Sequence, residues 1–173
     1  FHPLEFTLLN RDEQREILSS MLPKAKKNKI PYYLNQISLA KGKLMMPGKG
    51  GKEKKDDKEL FHLALTYTEY CRTHKKLDFD DLLLRTLQGT QYLLQGKEVD
   101  WNNMPSIADF LSNYQPWSAT TAKDNNLHTN FLKHKWMFID EYQDINYLQH
   151  QLLLTFVQPG TLLCAIGDPD QAI

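Results

Sequence analysis

The stretch from Trp136 to Ile173 constrains this chain more than any other. Two short apolar runs, Trp136 to Ile139 and Leu162 to Ile166, have strand length and are rich in aromatic or aliphatic residues. Each ends abruptly in carboxylates and amides, Asp140-Glu-Tyr-Gln-Asp after the first and Gly167-Asp-Pro-Asp-Gln after the second. Between them, Leu148, Leu152 and Phe156 recur at helical spacing within Tyr147 to Val157, and Pro159-Gly160 stops the pattern. The spacing predicts a strand–helix–strand unit, with parallel strands and a right-handed crossover. Ligands of such sheets sit beyond the carboxyl ends of the strands, and both polar clusters lie there.

The chemistry of the first cluster follows from that position. Asp140 is expected to end a buried strand, which holds its carboxylate at the rim. A single carboxylate there suits Mg²⁺, a hard ion that takes oxygen ligands and keeps several waters. Glu141 is expected to point the other way along the strand, and a second carboxylate beside a metal suits a general base for water. Adjacent acids after a strand also serve simply to cap the next helix. Spacing alone leaves both readings open.

Asp140-Glu-Tyr-Gln-Asp-Ile-Asn146 resembles motif II of the UvrD/Rep/PcrA group of superfamily 1 DNA helicases. Gly167-Asp-Pro-Asp-Gln-Ala-Ile173 resembles motif III of the same group. The two stand in the right order with a helix of fitting length between them. The resemblance implies that Asp140 binds Mg²⁺ and that Glu141 polarises the attacking water. It implies that Gln171 approaches the γ-phosphate of ATP and links it to the DNA site. Gln143, Asp144 and Asp168 fall at positions that couple the nucleotide site to neighbouring motifs. Ile145 stands where the family often has Thr, a mild departure.

Composition bounds the rest. A chain of 173 residues with 41% hydrophobic and 24% charged residues is long enough and apolar enough for a globular core. Lys and Arg number 21, as do Asp and Glu, so no global basic field advertises nucleic-acid binding, and any DNA contact is local. Cys71 and Cys164 lie in helical and strand patterns, which predicts buried, reduced thiols of a cytoplasmic protein, with a disulfide as the less favoured alternative. No apolar run approaches membrane-spanning length. The chain starts at Phe1 and stops within the second motif, which makes a piece of a larger protein the expectation.

From the N-terminus, Phe1 to Leu9 reads as extended. Asn10 and Glu13 form a capping box, Ile17, Leu18, Met21 and Leu22 make one helix face, and Pro23 ends it. Phe6-Thr-Leu-Leu-Asn-Arg-Asp-Glu-Gln14 is similar to the family segment that opens its helical subdomain. The basic run Lys24 to Lys29 reads either as a phosphate contact or as a solvated loop. Leu34, Ile37 and Leu39 give a weak helical pattern, and Gln36-Ile-Ser-Leu-Ala-Lys41 again resembles the family. Residues 41–58, rich in Lys and Gly, read as a flexible loop, with a basic arm on duplex DNA as the alternative.

Glu59 to His74 is a strong helix with Leu60, Ala64, Tyr67 and Cys71 on one stripe. Asp78 is expected to N-cap the next helix with Asp81 at its N3 position, and Phe79, Leu82, Leu83, Thr86 and Leu87 to form its buried face. Leu77-Asp-Phe-Asp-Asp-Leu-Leu-Leu84 closely resembles a family segment. Its three acids suit the helix dipole better than a metal. The resemblance thins over 88–128, read as an insertion with one helix from Ser106 to Tyr114 on an apolar stripe of Ile107, Phe110 and Leu111. Trp101, Tyr114 and Trp117 suit stacking on bases or a satellite core, and the core is the expectation. His128 and His134 lack zinc-ligand spacing.

The expected fold is mainly α with a small parallel β element, part of an α/β RecA-like P-loop NTPase domain with an inserted helical subdomain. Residues 1–135 are assigned to the subdomain and 136–173 to the motor domain. The resemblance implies an ATP-dependent DNA helicase using Mg²⁺ and ATP. Its partners would be single-stranded DNA, the duplex junction and the remaining motor domains, with no membrane. The chain carries no Gly-x-x-x-x-Gly-Lys-Ser/Thr phosphate loop, so it is expected to be inactive alone. Unpaired strand edges predict pairing of two copies in isolation. Two other classes stay open. One is a non-catalytic, helicase-derived module that binds DNA or protein. The other is a metal-dependent nuclease using Asp140, Glu141 and Asp144, which lacks a suitably spaced Lys.

Overall fold

A computed structural model describes residues 6–44, 55–100, 104–116, 134–157 and 160–171, the side chains at 55–58, 108 and 112 excepted. The described residues are mostly helical, with two small parallel two-stranded sheets. They divide into two compact units, the first comprising Phe1–Leu84 and Pro105–Asn113, the second Arg85–Met104 and Tyr114–Ile173. None of the described helices is long and apolar enough to cross a membrane.

In the first unit, strand β1 (Thr7–Leu8) pairs in parallel with β2 (Lys76–Leu77). Helix α1 (Arg11–Met21) starts where expected. The Asn10 side chain accepts the Glu13 N–H at 3.0 Å, and the Glu13 carboxylate accepts the Asn10 N–H at 2.8 Å. This reciprocal cap satisfies two amides that no helical carbonyl can reach. Helix α2 (Ile30–Gly42) carries Pro31 in its first turn, where a missing N–H costs nothing. Helix α3 (Lys55–Thr73) follows. Ile17, Leu18, Ile30, Leu34, Ile37, Ala64, Tyr67 and Cys71 from these helices, with Leu9 between β1 and α1, form one buried cluster. Lys24, Lys26, Lys27 and Lys29 are exposed, as a solvated run would be.

Both ends of the segment 41–58, expected to be a flexible loop, are helical. Lys41 and Gly42 belong to α2, and Lys55 to Lys58 to α3; residues 45–54 lie outside those described. Lys41 is 4% exposed, its ammonium 2.8 Å from Asp78 Oδ2 and 2.8 Å from Asp81 Oδ1. A lysine at the end of a Lys-rich run is thus a core residue, because two buried carboxylates meet it. Asp78 caps helix α4 (Phe79–Leu94) as expected, its Oδ1 accepting the Asp81 N–H at 2.8 Å. The buried face of α4 differs from expectation. Leu84, Leu87 and Gln88 are fully buried, whereas Phe79 is 68% exposed and Thr86 lies on the surface. Burying Asp81 at the first turn fixes the helix phase, and that phase turns Phe79 outward. Leu39 of α2 is likewise exposed. Helix α5 (Ile107–Asn113) forms inside the expected span, opened by Ser106, whose Oγ accepts the Asp109 N–H at 3.0 Å. Ile107, Phe110 and Leu111 are its buried stripe.

The second unit holds the rest of α4, strand β3 (Trp136–Ile139), helix α6 (Tyr147–Phe156) and strand β4 (Leu162–Ala165). The strands pair in parallel with Trp136 opposite Leu162 and Ile139 opposite Ala165. Asn146 and Gln149 form a second capping box at the start of α6. Its buried face is Leu148, Gln151 and Thr155 rather than Leu148, Leu152 and Phe156. Gln151 tolerates burial because its side-chain oxygen accepts the Tyr114 O–H at 2.7 Å. Tyr114 is therefore a core residue; Trp101, Trp117 and His128 lie outside the described residues. Gly160 adopts φ +90°, open to glycine at little cost.

Neither strand is buried as expected. Phe138 is 69% exposed and Trp136, Leu162, Leu163 and Ile166 are all exposed, with only Ile139 buried. Parallel strands need neighbours and covering helices, and this pair has no further strand among the described residues. Cys164 is exposed for the same reason; both thiols are free.

Candidate functional site

The two polar clusters meet at the carboxyl ends of β3 and β4. The ladder continues past the strands, with Ile166 N–H donating to the Ile139 carbonyl at 2.8 Å and Tyr142 N–H to the Ile166 carbonyl at 2.9 Å. This brings residues 140–144 against 166–171. Asp140 is exposed at the rim, and its Oδ1 accepts the Glu141 N–H at 3.0 Å.

Glu141 does not continue the strand. It takes φ 50°, ψ 45°, a left-handed conformation uncommon outside glycine. Its direction is therefore set by a backbone kink rather than by strand alternation. The kink is held from both sides. Asp140 engages the Glu141 N–H, and the Glu141 carbonyl accepts the Asp144 N–H at 2.9 Å, closing a 3₁₀ turn over Tyr142–Asp144. Such backbone strain costs on the order of 1–3 kcal/mol and gathers at functional sites.

From Glu141 a continuous run of hydrogen bonds crosses to the second cluster. Gln143 Nε2 donates to Glu141 Oε2 at 2.6 Å. Gln143 Oε1 accepts the Asp168 N–H at 3.0 Å. The Asp168 carboxylate accepts the Asp170 N–H at 2.9 Å and the Gln171 side-chain amide at 2.7 Å. Glu141, Gln143, Asp168 and Gln171 are thus joined. Asp140 enters this run only through the Glu141 backbone. Asp144 is tied by its backbone, and its carboxylate takes no part in the side-chain run among the described residues.

Mg²⁺ needs only one or two protein carboxylates, with waters and phosphate completing its shell. Asp140 is an exposed carboxylate at a strand end with one oxygen engaged by a local amide, so its donor chemistry fits that ion. The described residues contain no cluster of three or more acids, histidines or cysteines that would hold a metal without other ligands.

Gly167 is the site residue whose role the sequence did not disclose. A Cβ there would lie 2.6 Å from Gln143 Oε1 and 3.4 Å from the Gln143 backbone nitrogen. The available signal was a glycine directly after a strand, which often marks a close approach. The nearest atom ends a flexible side chain, so Gly167→Ala should displace the Gln143 amide rather than unfold the protein. The expected result is faster hydrogen exchange at the Asp168 amide with stability changed by less than about 1 kcal/mol. Unchanged exchange at Asp168 would remove Gln143 as the bridge.

The family model described as the UvrD/REP helicase N-terminal domain matches residues 3–173. The ATP-dependent DNA helicase PcrA of Staphylococcus aureus strain Mu50 is 25% identical, the alignment covering 97% of this chain and 20% of that protein. PcrA of Staphylococcus epidermidis is 26% identical with the same coverage. The chain therefore spans about one fifth of the length of these curated relatives.

Proposed function

This chain belongs to the UvrD/REP helicase N-terminal domain family, and from that premise we propose that it forms part of an ATP-dependent DNA helicase motor. Residues 1–135 supply the helical subdomain and 136–173 supply part of the first RecA-like domain. The observation that carries this reading is the unbroken run of hydrogen bonds from Glu141 through Gln143 to Asp168 and Gln171. A motor must make hydrolysis depend on its track, and two clusters joined by side-chain bonds can report to each other. PcrA, named for ATP-dependent DNA helicase activity, is similar over nearly the whole of this chain.

Asp140 is the residue to hold Mg²⁺. When bound, Mg²⁺·ATP supplies the phosphoanhydride and the positive charge that offsets developing negative charge. Glu141 is the general base. Gln143 engages its Oε2, which orients the carboxylate and leaves Oε1 to accept a proton from water. Gln171 spends one amide N–H on Asp168; its second donor is left for phosphate. Gln143, Asp144 and Asp168 serve as coupling residues. The protein acts in the cytoplasm on single-stranded DNA and its duplex junction. The exposed edges of β3 and β4 are where further strands of the motor domain pair or, in isolation, a second copy of the chain. The chain by itself is inactive, since most of the cations and amides that stabilise phosphoryl transfer lie outside it.

Two variants of the complete protein test the division of labour. Asp140→Ala should weaken Mg²⁺-dependent ATP binding. Gln171→Ala should keep both nucleotide and DNA binding but lose most of the stimulation of hydrolysis by single-stranded DNA. ATP hydrolysis measured against DNA concentration separates them. Full stimulation in Gln171→Ala would end the coupling assignment.

A further inference from the structure

The first unit buries a charge imbalance that the motor chemistry does not use. Lys41, at the end of α2, meets two carboxylates at the start of α4. Its Nζ lies 2.8 Å from Asp78 Oδ2, a hydrogen bond, and 2.8 Å from Asp81 Oδ1, an ion pair without hydrogen-bond alignment. The three side chains are 4%, 7% and 1% exposed. One ammonium cannot neutralise two carboxylates, so a net negative charge is left away from water. The other facing groups do not correct this. Tyr67 of α3 places its ring 5.1 Å from Lys41 Nζ, and its buried hydroxyl has no hydrogen-bond partner. Cys71 of α3 is a buried thiol, pushed up to about 11 by burial and then by Asp81. Asp80, on α4 itself, adds a further acid that feels Asp78, Lys41 and Arg11 of α1.

An uncompensated buried charge is relieved most cheaply by a proton. We propose that Lys41, Asp78 and Asp81 form a proton-binding site, in which one proton taken up by Asp81, whose buried Oδ1 lacks a hydrogen bond, completes the charge balance of the cluster between α2 and α4. No bond other than a carboxyl O–H forms, and the proton comes from solvent. Burial raises Asp81 to about 6, with Lys41 opposing and Asp78 reinforcing the rise. Lys41 remains an ammonium: burial pulls it down, but the two carboxylates together more than reverse this. The sign follows from linkage. A carboxyl that titrates near 6 when folded and near ~3.9 when unfolded holds its proton only in the folded state between those values. Its contribution to stability therefore grows as pH falls through 6 and is lost as pH rises through it.

The test is ¹³C NMR titration of the chain labelled at its aspartate carboxyls, beside urea unfolding at about pH 5 and about pH 7. One resonance, absent in Asp81→Asn, should titrate with a midpoint about two units above the ordinary ~3.9, and Asp78→Asn should lower that midpoint. Wild type should unfold at higher urea at the lower pH, and Asp81→Asn, which cannot exchange the proton, should lose that difference. If either variant fails to fold, the wild-type titration decides alone. The proposal is overturned if every aspartate of the wild type titrates below about pH 5, or if the raised midpoint belongs to another aspartate. It is also overturned if Asp81→Asn keeps the wild-type pH difference.

Discussion

Replacing Glu141 with Gln in the complete protein should lower DNA-stimulated ATP hydrolysis by roughly 10²–10⁴-fold, the usual contribution of a general base. At 1.36 kcal/mol per tenfold, that is a loss of about 3–5 kcal/mol of transition-state stabilisation. Binding of ATP should hold, because an amide has nearly the shape of the carboxylate it replaces. The site should also hold. The Gln143 N–H that donates to Glu141 Oε2 at 2.6 Å finds an equivalent acceptor in the new amide oxygen. The left-handed backbone at residue 141 is fixed by bonds to Asp140 and Asp144 that the substitution leaves untouched. The variant therefore removes the base while sparing the bridge to Asp168. Single-turnover hydrolysis and nucleotide titration, run together, distinguish this from a folding defect. Near-normal turnover would mean that another group takes the proton, and the motor assignment of Glu141 would fall with it.

The parts of this molecule that were legible in its sequence are those set by short-range rules. Asn10 with Glu13, and Asp78 with Asp81, announce helix starts because the cap and the third helical residue bond to each other's backbone. Trp136–Ile139 and Leu162–Ala165 read as strands from their length and composition, and their parallel pairing followed from the helix between them. What failed depends on neighbours. Three consecutive leucines, Leu82 to Leu84, leave the phase of α4 undetermined, and in the observed phase Asp81 and Leu84 face inward while Phe79 faces outward. The strands were expected to be buried because parallel sheets usually are, yet Phe138 and Leu163 lack covering elements among the described residues. That the two polar clusters share one rim was also legible, because each follows the end of a paired strand. Asp140, Glu141 and Gln171 were named from motif position, and Gln143, Asp144 and Asp168 as coupling positions, though the Asp144 carboxylate takes no part in the side-chain run among the described residues. The Gly167 approach to Gln143 could not be named, because it depends on how residues 25 apart in sequence come to touch.

Lys41 marks the limit of composition as a guide, and it carries the second large expected effect. Lys41→Met should destabilise the protein by about 3–5 kcal/mol, the range found when one partner of a buried ion pair is removed. Met matches the length and apolar stem of Lys, so the loss is not one of volume. It arises because Asp78 and Asp81 remain 5% and 0% exposed with no ammonium between them. Two acids at the start of α4 then lack a counter-ion, and either they repel each other as carboxylates or they take up protons at a cost that grows with pH. The helix dipole favours acids there, but by only about 0.3–1 kcal/mol each at exposed sites. Combining Lys41→Met with Asp78→Asn and Asp81→Asn should recover part of the loss, since neutral amides need no counter-ion. The recovery will be incomplete because an amide is a weaker cap and Tyr67 loses the cation over its ring. Urea unfolding of the single and triple variants measures both effects. A single variant within about 1 kcal/mol of wild type would show that water or proton uptake relieves the two acids, and a triple variant no more stable than the single would show that the loss was packing rather than charge.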